Sequence, residues 1–132
     1  MKKFGLSKKE RIKSKNEFGL VYLKGSVLFS NGKKLKANYY SQNSSDSPGV
    51  KVAFGVHRKS GKAVWRNRIK RLLRAAFRLN KHELLETCVS KSKLLFLVIS
   101  PYGINQKNNS VICLKDIQSD VIELMHKVKA NM

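Results

Sequence analysis

One segment limits what this chain can become. Residues 62–78 read Lys62-Ala63-Val64-Trp65-Arg66-Asn67-Arg68-Ile69-Lys70-Arg71-Leu72-Leu73-Arg74-Ala75-Ala76-Phe77-Arg78. Wound as a helix at about 100° per residue, the segment has two faces. Trp65, Ile69, Leu72, Leu73, Ala76 and Phe77 gather on one, and Arg66, Asn67, Lys70, Arg71, Arg74 and Arg78 on the other, with Arg68 at the edge of the basic arc. The apolar face predicts an anchor in a core, and the basic face is left for a partner. Arg66, Lys70, Arg74 and Arg78 repeat at i+4, where each like-charged pair costs a helix a few tenths of a kcal/mol. No acidic residue occurs between Asp46 and Glu83 to relieve them. A sequence that keeps such a cost has a use for it. Arginine outnumbers lysine on this face, which suits two-pronged contacts to phosphate. Asn67 both donates and accepts, so a sugar hydroxyl, a base edge or a neighbour could satisfy it.

The whole chain points the same way. Its 132 residues suit one domain with a modest core, and 42% of them are hydrophobic, enough to fold. Lys and Arg number 28 against 8 Asp and Glu, a formal net charge of +20. Solubility needs a net charge of only about 2–8, so a polyanion is the expected partner. Nucleic acid is the first candidate and an anionic membrane the second. The membrane reading is the weaker, because so small a domain needs the helix's apolar face for its core. The longest apolar run, 94–99, is too short to cross a bilayer, and the charged N-terminus has no apolar segment behind it as a signal peptide would. Cys88 and Cys113 stand far apart and form no CxxC, which predicts two buried, reduced thiols in a cytoplasmic protein. His57, His82 and His126 have no metal-ligand spacing. The acids Glu10, Glu17, Asp46, Glu83, Glu86, Asp116, Asp120 and Glu123 are few and scattered, and no catalytic residue is expected among them. Asp116, Asp120 and Glu123 read as ordinary surface of a last helix.

Along the chain, no internal repeat or domain boundary appears; residues 1–132 read as a single domain. Residues 1–13 carry Lys2, Lys3, Lys8, Lys9, Arg11 and Lys13 and look like a flexible basic arm. Ser14-Lys15-Asn16-Glu17 is a capping-box pattern, predicting a short helix to about Lys24 with Phe18, Val21 and Tyr22 on one side and Gly25 as its stop. Strand-like stretches 27–30 and 35–41 flank Asn31-Gly32, a tight-hairpin signal. Residues 50–57 alternate, with Val50, Val52, Phe54 and Val56 on one face. Residues 60–79 are predicted helical. Residues 94–100 read as a central strand buried on both faces, ended by Pro101. Residues 110–129 form a last helix with Leu114, Ile117, Val121, Leu124, Met125 and Val128 as its core stripe. The order is α-β-β-β-α-β-α, an α+β sandwich of helices on a mixed sheet.

Arg66-Asn67-Arg68, followed by Ile69-Lys70-Arg71-Leu72, Arg74 and Phe77, resembles the "RNR" signature of the bacterial ribonuclease P protein subunit. The likeness continues through 52–59, Gly61–Ala63, Phe77-Arg78-Leu79 and His82-Glu83-Leu84. The resemblance implies a two-layer sandwich with a left-handed β-α-β crossover around the signature helix, where the general preference is right-handed. It implies a subunit that joins a large catalytic RNA, ribonuclease P RNA, to remove the 5′ leader of precursor tRNA. In that family the RNA holds the catalytic Mg2+ ions, and no further protein partner is required. Carried over by position, Arg66, Asn67, Arg68, Lys70, Arg71 and Arg74 face the catalytic RNA, extended by Lys59 and Lys62. Phe18 and Tyr22 line a leader-binding cleft, with Tyr40 and Lys51 as further members on its sheet floor. Tyr39 and Tyr40 point to opposite faces, and the sequence leaves open which meets the cleft. The chain departs from the family pattern at His57-Arg58 and at Trp65. A structural RNA-binding protein without turnover and a DNA-binding module are the other readings of the same charge.

Overall fold

The apolar run after Lys93 becomes the strand on which everything else packs. In this computed structural model, which describes residues 11, 12 and 14–132, the elements are α1 (Lys15–Lys24), β1 (Ser26–Phe29), β2 (Leu35–Asn43), β3 (Gly49–Phe54), α2 (Ala63–Ser90), β4 (Lys93–Pro101) and α3 (Leu114–Ala130). The four strands lie in the order β1-β2-β4-β3. β2 is antiparallel to both β1 and β4, whereas β3 runs parallel to β4 and is joined to it through α2. The α-β-β-β-α-β-α order and the mixed sheet are those expected from the sequence.

β4 is buried on both faces because it faces two different cores. Leu95, Leu97 and Ile99 join the large cluster with Val52, Ile69, Leu73, Phe77, Ile117, Val121 and Leu124, beneath α2 and α3. Phe96 and Val98 face the other way and meet Ile12, Val21, Phe18, Tyr40 and Ala53, beneath α1. Single-residue alternation along the strand thus divides one run between two layers. α1 starts on the expected capping box: the Ser14 hydroxyl accepts from the Glu17 N–H at 3.1 Å, and the Ser14 N–H donates back to Glu17.

Several boundaries differ from the sequence reading, each for a local reason. α2 runs to Ser90 rather than stopping near residue 79, and its start moves from 60 to Ala63 because residues 58–60 form a separate 3-10 turn. β1 and β2 do pair as a hairpin, but Phe29 pairs with Lys36, so the connection is a longer 3-10 loop rather than a two-residue turn. α3 starts at Leu114, and Leu114 is only half-buried. Cys88 is buried as expected, but Cys113 is exposed, since it occupies the N-cap of α3. Asp120 is not surface: it is 9% exposed, its Oδ2 has no hydrogen-bond partner among the described residues, and burial raises its pKa against the opposing pull of Lys34. Of the stretch expected to be a flexible arm, residues 1–10 and 13 lie outside the described residues. Ile12 is buried, its N–H donating to the Val52 carbonyl along the β3 edge.

Candidate nucleic-acid interface

The first surface is the outer face of α2. Trp65, Ile69, Leu73, Ala76 and Phe77 are buried, so the helix has one possible orientation on the sheet. That orientation turns Asn67, Lys70, Arg71, Arg74 and Arg78 outward, and among the described residues the four cations of this set form no ion pair. From Arg66 to Arg78 the ladder extends about 18 Å along the axis. A rigid rod of unpaired cations matches a phosphate backbone better than a small anion.

Two of the signature arginines have a second task. Arg66 Nε donates to the Gly61 carbonyl at 3.1 Å. Arg68 donates through Nε and Nη2 to the Ile112 carbonyl at 3.1 and 2.8 Å. Each guanidinium has five donors, so both keep donors for an external acceptor. Asn67, between them, is exposed and free of such duties.

At the head of α2 the loops form a basic basin. It has a volume of about 590 Å³ and is lined by Arg58, Lys59, Ser60, Gly61, Lys62, Asn105, Gln106 and Lys107. The sequence reading included Lys59 and Lys62 but missed Arg58 and Lys107. Lys107 arrives because the loop after β4 is bolted to α2. Trp65 Nε1 donates to the Asn109 carbonyl at 2.9 Å, and the Lys62 N–H donates to Gln106 Oε1 at 2.7 Å. A Cβ on Gly61 would approach Trp65 Cε3 to 2.7 Å and Gln106 Cβ to 2.8 Å, which is why a residue without one sits there. The Trp65 departure is the only signal in the sequence that could have suggested this docking.

The second surface is the sheet face under α1. Strand register places Tyr40, Phe96 and Lys51 in one row across three strands. Tyr40 packs with Phe18 in the smaller core, while Tyr39 packs against the larger one, so Tyr40 is the tyrosine on the α1 side of the sheet. Its ring stacks on Phe96 with centroids 6.5 Å apart. Phe18 is half-buried in that cluster, and Tyr22 is 57% exposed at the outer end of α1. Lys51 is not free: its Nζ lies 2.7 Å from Glu17 Oε2, tying the sheet to α1. Phe18, Tyr40 and Lys51 therefore lie on one side of the sheet, with Tyr22 on the helix above it, and the eight α2 and loop residues belong to a different surface.

No helix is long and apolar enough to cross a membrane among the described residues. Among the same residues no group of three or more His, Cys, Asp or Glu is placed to hold a metal ion. Four acids are already paired: Glu17 with Lys51, Glu83 with Lys129, Glu123 with Lys127, and Asp116 with the Cys113 N–H.

The chain has clear relatives. A family model described as Ribonuclease P matches residues 6–128. The ribonuclease P protein component of Syntrophus aciditrophicus is 42% identical over 81 residues, covering 61% of this chain and 64% of that protein. That of Finegoldia magna is 31% identical over 127 residues, covering 92% of this chain and 93% of that one. The chain thus matches just under two thirds of the first relative's length and nearly all of the second's. Among solved structures, the RNase P protein of Staphylococcus aureus superposes with a TM-score of 0.67 at 22% identity, covering 91% of this chain and 95% of that one. The protein from Thermotoga maritima gives 0.69 at 22% identity, covering 89% and 96%. At that identity these two likenesses speak for the fold.

Proposed function

The chain belongs to the ribonuclease P protein family, and from that premise we propose that it is the protein subunit of ribonuclease P, binding the catalytic RNA through α2 and the 5′ leader of precursor tRNA through the α1 cleft. The observation that carries this reading is the outward row of unpaired cations on a helix whose other side is fixed in the core. The catalytic RNA would take the face of Arg66, Asn67, Arg68, Lys70, Arg71 and Arg74, together with Lys59 and Lys62 at its head. The leader would take Phe18, Tyr22, Tyr40 and Lys51. Stacking suits a leader whose sequence differs between precursors, since every base has a π-face.

Hydrolysis of the phosphodiester is assigned to the RNA with its Mg2+ ions. In the family that the signature resembles, the RNA holds the catalytic ions, and on this reading no step is routed through the chain. Its work is to hold two RNAs in register, on opposite faces of a rigid sheet. We further propose that it acts in the cytoplasm. The test is reconstitution: purified protein is added to ribonuclease P RNA and precursor tRNA at low magnesium. Leader removal is expected to accelerate, and no acceleration would overturn the reading. The same protein titrated with structured RNA and duplex DNA at equal salt distinguishes a DNA-binding module, which would prefer the duplex DNA.

A further inference from the structure

The floor of the α1 cleft continues beyond α1. After the row Tyr40–Phe96–Lys51 comes Val27–Asn38–Val98–Ala53, and after that Phe29–Lys36–Ser100. All three rows face the same way, since Leu35, Ala37 and Tyr39 between them face the opposite core. Tyr40 and Lys36 are four residues apart on one strand, about 13 Å. The third row ends in an aromatic pair. The Phe29 and Tyr102 rings meet edge-on with centroids 4.8 Å apart, and Lys33 Nζ stands 6.0 Å from the Phe29 centroid. Tyr102 is 57% exposed and Lys33 is exposed.

The pair is held rigidly from behind. The Tyr102 and Gly103 N–H groups both donate to the Lys34 carbonyl, at 2.8 and 3.1 Å. A Cβ on Gly103 would lie 2.6 Å from the Lys33 carbonyl oxygen, so the two loops are pressed together. From α3, Lys127 Nζ donates to the Phe29 carbonyl at 2.9 Å, and Glu123 accepts from the Asn31 N–H at 3.0 Å. Glu123, the acid seen in contact with this loop, is paired with Lys127 at 2.9 Å. A fixed, half-exposed ring with lysines beside it has the chemistry of a platform for a nucleobase and its phosphate.

We propose that Phe29 and Tyr102, with Lys33 and Lys36, form a second stacking station for single-stranded RNA, taking the part of the leader that has passed Phe18 and Tyr22. The inference rests on the leader reading given above. Charge complementarity selects the occupant: a lysine-flanked aromatic surface on a chain of net charge +20 suits a polyanion with planar bases. Single strands are favoured over duplex because only unstacked bases can lie on a side-chain ring.

The test uses holoenzyme assembled from the full chain and ribonuclease P RNA, with precursor tRNAs whose leaders lengthen one nucleotide at a time. Wild-type affinity should rise in two steps, first at the α1 cleft and again when the leader reaches Tyr102. Tyr102→Ala should abolish the second step, weakening long-leader precursors roughly ten-fold, and leave the shortest leaders unchanged. Tyr102→Phe should restore it, since the ring and not the hydroxyl does the stacking. Lys33→Gln should lower the second step without removing it. An undiminished second step in Tyr102→Ala overturns the inference while leaving the leader reading intact. Wild-type affinity that ignores leader length altogether overturns the leader reading and this inference together. A melting curve on Tyr102→Ala separates lost stacking from lost folding.

Discussion

The outer face of α2 and the sheet face beneath α1 are built on the same sheet, yet they differ in almost every physical respect. The α2 face is cationic, with Lys70, Arg71, Arg74 and Arg78 free of ion pairs among the described residues. The cleft is aromatic, and its one lysine in the Tyr40 row is already matched to Glu17. The first surface can gain affinity chiefly by neutralising phosphates, a term that falls steeply with salt. The second can gain it by stacking, which salt scarcely affects. A protein needing one partner bound tightly and another bound irrespective of sequence has reason to keep these two devices apart.

The largest expected effect tests the cationic surface. Lys70→Ala, Arg71→Ala and Arg74→Ala together should weaken binding to ribonuclease P RNA roughly 100-fold or more at moderate salt, and should lower the slope of log affinity against log salt by about 3. These three are preferable to Arg66 and Arg68, whose side chains also hold the 61 and 112 carbonyls. Helical content should be unchanged, because alanine is a good helix former and repulsion along the ladder is relieved. An unchanged salt slope would show that RNA meets some other face.

Next in size is the cleft. Tyr22→Ala should reduce affinity for precursor tRNA by about 1–3 kcal/mol, the cost of one lost base stack, and leave mature tRNA binding unaffected. Its salt slope should match that of the wild type, in contrast with the triple variant. Tyr22 is 57% exposed, so the substitution has little packing to disturb. Phe18→Ala should act in the same direction but also destabilise the fold, because Phe18 packs against the smaller core. Equal losses for precursor and mature tRNA would remove the leader from the cleft.

What the sequence made legible follows the same division. The α2 face was readable because helical periodicity and charge coincide within thirteen consecutive residues. The double burial of β4 was readable because an unbroken apolar run has no solvent face. The extension of α2 beyond residue 79 was hidden by Lys81, which sits on the buried stripe between Phe77 and Leu84, 6% exposed. A lysine can occupy such a position when its aliphatic stem packs inward, but in a hydropathy pattern it reads as a break. Lys107 was unreadable for another reason. The bonds that bring it to α2, from Trp65 to Asn109 and from Lys62 to Gln106, each span 44 residues. Local patterning has no access to such pairings. Tyr39 and Tyr40 are indistinguishable in sequence because both are aromatic; only the register with Phe96 and Leu97 separates them.

The smallest expected effect bears most directly on the contrast between the two surfaces. Glu17 serves the α1 capping box and the ion pair with Lys51 at once. Glutamine at this position can still accept from the Ser14 N–H through its amide oxygen, and the backbone N–H still donates to the Ser14 hydroxyl, so Glu17→Gln should preserve α1 while removing the charge that holds Lys51. Both side chains are partly solvated, at 32% and 20% exposure, so the stability lost should stay within about 1 kcal/mol. The uncompensated Lys51 cation would then be available to a leader phosphate. Precursor affinity should rise a few-fold, and the salt slope should steepen by about 0.7, the increment for one single-strand phosphate. The cleft would have acquired one element of the α2 mode of binding. A fall in precursor affinity would instead mean that the Glu17–Lys51 pair is itself what keeps the cleft open for stacking, and Lys51 would then belong to the scaffold rather than to the leader contact.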